Sequence, residues 1–97
     1  MSTLTAPASP ATAASGQDEA ARRYAKLLVS EIRLYNETAV AAGRRDRNLL
    51  ERLGAEIERA RGLYNARIPP DARADHFNQE LIRTLADGDP ALLGLTA

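Results

Sequence analysis

The side chain with the widest chemical repertoire is His76, the single histidine of this 97-residue chain. A histidine ligates a metal ion when further ligands lie about one helical turn away, and Glu80 and the neighbouring Asp75 are available. The chain has neither the His-Glu-x-x-His pattern of zinc enzymes nor the Glu-x-x-His pairs of di-metal helical bundles. We therefore expect no metal site and no cofactor, and we interpret His76 as a solvated or helix-capping residue.

Nucleophilic and acid–base catalysis have no stronger support. No histidine is placed to activate the hydroxyl of Ser30, and the chain has no glycine-rich phosphate loop. For Asn36, which follows Tyr35, a role as a partly buried polar residue that fixes helix register is the less favoured interpretation. The sequence therefore predicts no catalytic residues and no enzymatic activity.

The basic cluster Arg44-Arg45-Asp46-Arg47 is the candidate anion site. Arg44, Arg45 and Arg47 are the candidate contacts to phosphate groups of a nucleic acid. No aromatic residue interleaves the cluster, and the helix that follows carries glutamates at spacings that form ion pairs with its arginines. A solvated charged face is the favoured interpretation, and nucleic-acid binding is kept as the alternative function.

The composition narrows the class of protein further. Thirteen basic and thirteen acidic residues cancel, so no overall field attracts nucleic acid or an anionic membrane. Cysteine is absent, which excludes disulfides and thiolate metal sites. Residues 1–17 lack the regions of a secretory signal, and no apolar run has the length of a membrane span. We expect a soluble cytoplasmic protein with one domain.

Three helices are predicted from the spacing of apolar residues. Core-type residues recur at alternating intervals of four and three along the first two helices, as on one face of a helix. They are Ala21, Ala25, Leu28, Ile32, Tyr35, Ala39 and Ala42 in the first helix and Leu50, Leu53, Ile57, Ala60 and Tyr64 in the second. The predicted helices are 18–42, with Gly43 as a left-handed terminator, 48–67, which ends before Pro69, and 71–87.

The two ends of the chain are predicted as tails. Residues 1–17 consist mostly of Ala, Ser, Thr and Pro, a composition that cannot bury enough apolar area to order the chain. The short C-terminal tail, 89–97, contains Leu92, Leu93 and Leu95. The sequence leaves open whether these leucines close the core or dock elsewhere.

Residue sizes across the predicted turns favour a bundle. When the helices are folded back on each other, alanines repeatedly face large residues, as Ala60 faces Leu28 on one side and Phe77 on the other. Such alternation keeps the packed volume of each layer constant. The prediction is an all-α, up-down-up three-helix bundle built on a long antiparallel helical hairpin.

Several apolar residues flank these stripes and form the candidate partner interface. They are Leu27, Leu34, Val29, Leu49 and Leu63. One interpretation is a wide core with ordinary exposed leucines, and the other is a second apolar face that buries against another chain. A domain with so small a core favours association, with a second copy or with a larger protein. The role of Gly62, inside the second helix, has no explanation at this level.

The pattern also resembles a known type of module. Its motifs span residues 20–88 and are R-Y-A-K-L-L-V-S-E-I-R-L-Y-N-E at 23–37, Gly43-Arg44, Leu63-Tyr64, Arg67-Ile68-Pro69 and Phe77 to Leu81. They resemble a short uncharacterised helical module of bacterial proteins, often appended to chains with zinc-ribbon or adaptor domains. The resemblance implies an interaction module without a known active site. The predicted function is a non-catalytic helical interaction or assembly module that self-associates or docks onto a larger protein complex.

Overall fold

The computed structural model describes residues 10–94, with side chains from residue 16 onward. Every regular element among these residues is helical, which confirms the all-α class. The elements are α1 (Pro10–Tyr35), α2 (Glu37–Asp46), α3 (Leu49–Arg52), α4 (Gly54–Arg67), α5 (Pro70–Arg73), α6 (His76–Glu80), a π-helical segment (Leu81–Leu85) and a 3₁₀ turn (Pro90–Leu93). The up-down-up order of three helices stays a prediction. In the part of the chain that is described, no helix has the length and apolarity to cross a membrane.

The first helix begins earlier than predicted, at Pro10. Proline is favoured at the first helical position because its missing N–H would have no partner there, and the alanines that follow are strong helix formers. Residues 10–17 of the predicted tail belong to α1. Residues 1–9 of that predicted tail lie outside the described residues.

The first predicted helix, 18–42, is interrupted at Asn36. This residue has φ −136° and ψ 41°, and its side-chain Nδ2 donates a hydrogen bond of 2.8 Å to the carbonyl oxygen of Ile32. A side chain that binds a backbone carbonyl in this way competes with the helical hydrogen bonds and bends the helix. Tyr35, predicted in the core, is 77% exposed at this bend.

Gly43 does not end the helix, so that prediction was wrong. The helix α2 continues to Asp46, and Arg47 adopts the left-handed conformation with φ 58°. Gly43 is buried inside α2, where a Cβ atom would lie 2.7 Å from Cδ2 and 3.1 Å from Cα of Leu49. The glycine thus permits the close approach of α2 and α3.

The second predicted helix, 48–67, is present as α3 and α4. Leu53 departs from helical dihedral angles between them, yet its N–H still donates to the carbonyl of Leu49. The helix ends at Arg67, before Pro69, as predicted. Asn48 makes no side-chain cap, because its Oδ1 accepts a hydrogen bond of 2.9 Å from Arg52 Nε instead.

The third predicted helix, 71–87, is divided into α5, α6 and the π-helical segment, because Ala74 has φ 42° between α5 and α6. The C-terminal tail then packs back on the molecule. Leu93 is buried in the core, and a Cβ atom on Gly94 would lie 2.9 Å from the carbonyl oxygen of Arg47. Leu92 is partly buried against the core, whereas Leu95 lies outside the described residues.

The core surrounds α1, which packs against α4, α5, α6 and the π-helical segment. Its apolar members on these elements are Ala21, Ala25, Leu28, Val29, Ile32, Ile57, Ala60, Tyr64, Ala72, Phe77, Leu81 and Leu85. The ring of Tyr64 lies at its centre, 6.4 Å from the ring of Tyr24 and 5.6 Å from that of Phe77 between centroids. The contact between Tyr24 and Tyr64 holds α1 and α4 side by side.

Candidate association surface

Four large apolar side chains are at least half exposed on α1 and α4. They are Leu27 (54%), Leu34 (60%), Tyr35 (77%) and Leu63 (50%), and we call them the association surface. Leu27 and Leu34 are seven residues apart, so they form one row on the side of α1 opposite its buried stripe. The sequence predicted three of these positions, and the bend at Asn36 adds Tyr35.

Two other predicted interface residues are not available to a partner. Val29 and Leu49 are both 0% exposed, so their assignment to an interface was wrong. Val29 is buried because α1 is covered on two sides, by α4 and by the α6 region, which widens its buried stripe. Leu49 is buried because α3 packs on α2 at Gly43.

Two shallow depressions lie on the seam between α1 and α4. The first is lined by Arg23, Tyr24, Leu27 and Arg67, and the Arg67 guanidinium lies 4.6 Å from the centroid of the Tyr24 ring. The second is lined by residues that include Glu31, Tyr35, Glu56 and Leu63. Both depressions are open to solvent and therefore suit a partner surface better than an enclosed small molecule.

The charges along this seam are unevenly distributed. Arg23 and Arg67 line the depression at one end, and Glu31, Glu56 and Arg59 line the depression at the other. None of these five charged groups forms an ion pair with another of the described residues. Their charges are thus free to pair across an interface.

The predicted anion cluster is largely engaged in internal contacts. Arg44 donates hydrogen bonds of 2.7 Å and 3.0 Å to the backbone carbonyls of Leu85 and Thr84, so part of its guanidinium is engaged within the chain. Arg45 is exposed but pairs with Asp46, and the hydrogen bond from Arg45 lowers the pKa of that carboxyl. Arg47 remains exposed.

His76 is buried rather than solvated. It is 6% exposed, and its Nε2 donates a hydrogen bond of 2.5 Å to Oδ1 of Asp18 on α1, which also pairs with Arg22. The hydrogen bond from His76 lowers the pKa of Asp18. No hydroxyl group among the described residues lies within hydrogen-bonding distance of His76 Nδ1, so the pair does not form a nucleophile–His–Asp triad.

The sequence also missed the burial of Glu80, which is 1% exposed. Its carboxylate accepts hydrogen bonds from Arg83 (2.9 Å) and from the Thr84 hydroxyl (3.0 Å). The spacing of these partners at three and four residues was a visible signal for this arrangement, whereas Asp18 is 58 positions from His76 and gave none. No group of three or more metal-ligating side chains occurs within residues 16–94.

Comparisons of the chain with protein-family models, with curated proteins and with solved structures find no match. The resemblance to a bacterial helical module therefore stays a prediction.

Proposed function

We propose that this chain is a non-catalytic helical association module that pairs with a second copy of itself through the association surface. One observation carries the proposal: four large apolar side chains, each 50–77% exposed, are carried by the two adjacent helices α1 and α4. A single exposed leucine needs no explanation, but several large apolar side chains on one pair of helices, beside charged residues, are typical of an interaction site.

The organisation of the chain agrees with this proposal. The core is built mainly from one long helix and several short elements, and so small a domain gains stability when it buries further area in an oligomer. We also propose that the helices follow the up-down-up order and that the protein is cytoplasmic, as expected from the sequence. An interaction role is also what the resemblance to a helical module implies.

The burial energy gives the expected strength of the dimer. Burying a leucine completely contributes about 1.5–3 kcal/mol, so burying the exposed half contributes about 1 kcal/mol. Four such side chains on each of two copies contribute about 8–10 kcal/mol in total. Because association costs at least about 4 kcal/mol, a net gain of at most about 4–6 kcal/mol remains, and we expect a weak dimer with a Kd between about 40 μM and 1 mM.

Substitution of the exposed leucines tests the proposal. The Leu27→Glu/Leu34→Glu variant loses about 4 kcal/mol of burial over the two copies, so its dimer should be about a thousandfold weaker. Light scattering across a range of concentrations should therefore give a dimer for the wild type and a monomer for this variant. Far-UV circular dichroism checks that the variant remains helical.

A matched control separates the loss of apolar area from the added charge. Asn65→Asp/Gln79→Glu adds the same two negative charges at exposed positions outside the association surface. This control should associate like the wild type. Equal weakening by both double variants would remove the association surface as the cause, and a folded Leu27→Glu/Leu34→Glu variant that still forms the wild-type dimer would refute the proposal.

Nucleic-acid binding, the alternative from the sequence, has no structural observation in its favour. Arg44 is bound to backbone carbonyls, and Asp46 pairs with both Arg45 and Arg52. The cluster thus offers less free positive charge than its sequence suggests.

A further inference from the structure

We infer that two copies pair antiparallel, with α1 of one copy against α1 of the other and Leu27 near the two-fold axis. This arrangement deepens the proposed function and rests on it. In this arrangement a second copy of the chain packs on the α1–α4 seam, in one orientation and one register.

The charges on α1 select the orientation. Arg23 and Glu31 are each four residues from Leu27, in opposite directions, which is about 6 Å along the helix axis. An antiparallel pair centred on Leu27 brings Arg23 level with Glu31 of the second copy, twice by symmetry. A parallel pair would instead bring Arg23 level with Arg23 and Glu31 level with Glu31.

The charges on α4 select the same orientation independently. Arg67 lies at the Arg23 end of the seam, against the ring of Tyr24, and Glu56 lines the same depression as Glu31. Because the two-fold axis near Leu27 turns the seam of the second copy end for end, Arg67 lies level with Glu56 of the second copy. Both helices thus carry an arginine at one end of the seam and a glutamate at the other, and Arg59 lies beside Glu31 and Glu56 at the second end.

Side-chain size agrees with the register. Ala20 and Leu34 are each seven residues from Leu27, again in opposite directions, and both are exposed. The antiparallel pair sets the small Ala20 opposite Leu34 of the second copy, on both sides of the axis. Alternation of a small and a large residue allows two helices to pack closely without voids.

Charge reversal tests the orientation. Arg23→Glu alone and Glu31→Arg alone each set like charges level with one another in the antiparallel pair, and each should weaken the dimer about tenfold. The double variant Arg23→Glu/Glu31→Arg restores opposite charges and should recover wild-type affinity. In a parallel pair the wild type and all three variants set like charges level, so neither single substitution would weaken the dimer, and that result would overturn the inference.

Cysteine cross-linking tests the register, because the chain has no cysteine of its own. Ala20→Cys and Leu34→Cys should each remain uncross-linked alone under mild oxidation, and an equimolar mixture of them should form a disulfide-linked dimer. Cross-linking of each variant alone, or no cross-link in a mixture whose mass is dimeric, would overturn the inference while leaving self-association intact. A monomeric wild type would overturn the proposed function as well and would assign the surface to a partner of different sequence.

Discussion

Alanine in place of Gly43 is expected to destabilise the fold even though alanine is the better helix former. Gly43 lies inside α2, and a Cβ atom there would stand 2.7 Å from Cδ2 and 3.1 Å from Cα of Leu49. The first contact is with a side chain that is 0% exposed, and the second is with backbone. Either the Leu49 side chain leaves its rotamer or α2 and α3 move apart.

Two opposing effects set the size of the change. Replacement of a helical glycine by alanine stabilises by about 1 kcal/mol, whereas overpacking of a core contact costs about 1–3 kcal/mol. Because both a buried side chain and the backbone are too close, we take the upper part of that range. The free energy of unfolding should therefore fall by about 1–2 kcal/mol.

Gly62 supplies the matched control in α4. It is exposed, and nothing lies within 4 Å of a Cβ atom built on it, so Gly62→Ala should raise the free energy of unfolding by up to about 1 kcal/mol. The same chemical change should thus act with opposite sign at the two positions. Urea unfolding followed by circular dichroism, at a concentration where both variants are monomeric, measures the difference.

A second substitution identifies the contact responsible. Leu49→Val shortens the side chain that the added methyl group would meet, so the cost of Gly43→Ala should decrease in that background by about 1 kcal/mol. An unchanged cost would mean that the backbone conformation of Gly43, rather than its contact with Leu49, requires glycine. Equal stabilisation by Gly43→Ala and Gly62→Ala would refute the close approach of α2 and α3.

Two further predictions concern polar contacts between residues that are far apart in the sequence. Arg44→Ala removes two hydrogen bonds from a charged donor to the carbonyls that end the π-helical segment, so the free energy of unfolding should fall by about 2 kcal/mol. The control Arg45→Ala, at an exposed residue, should lower it by at most about 0.5 kcal/mol. Equal effects of the two substitutions in urea unfolding would contradict the Arg44 contact. The pKa of Asp18 is lowered from 3.8 by the hydrogen bond from His76, so its ionised form stabilises the fold fully above pH 3.8, and this stabilisation is lost as the pH falls through the folded-state pKa. NMR titration should show the Asp18 pKa below 3.8 in the wild type and higher in His76→Gln, and an identical pKa in both would contradict the pairing.

The helices were predictable from spacing, but their interruptions were not. Ala21, Ala25, Leu28 and Ile32 are buried as the stripe on the first helix predicts. The stripe fails at the next position because Asn36 binds a backbone carbonyl and bends the chain, and an asparagine in a helix forms that bond or not according to its packing. Local sequence therefore located the helix and missed its end.

The association surface was predictable in part for a similar reason. Periodicity placed Leu27 and Leu34 opposite the buried stripe, where the structure exposes them. Whether a flanking residue is buried depends on how many elements surround its helix, so Val29 was assigned to the wrong side. The pair of Asp18 and His76 depends on a contact between α1 and α6, which are far apart in the sequence, and no short-range pattern contains it.

The mass of the wild-type chain in solution tests the central claim most directly. Sedimentation equilibrium from low micromolar to about millimolar concentration covers the range of Kd that the exposed apolar area allows. The account predicts a mass that rises with concentration from the 10.5 kDa of one chain towards twice that value. A mass that stays at 10.5 kDa over the whole range would contradict self-association through this surface.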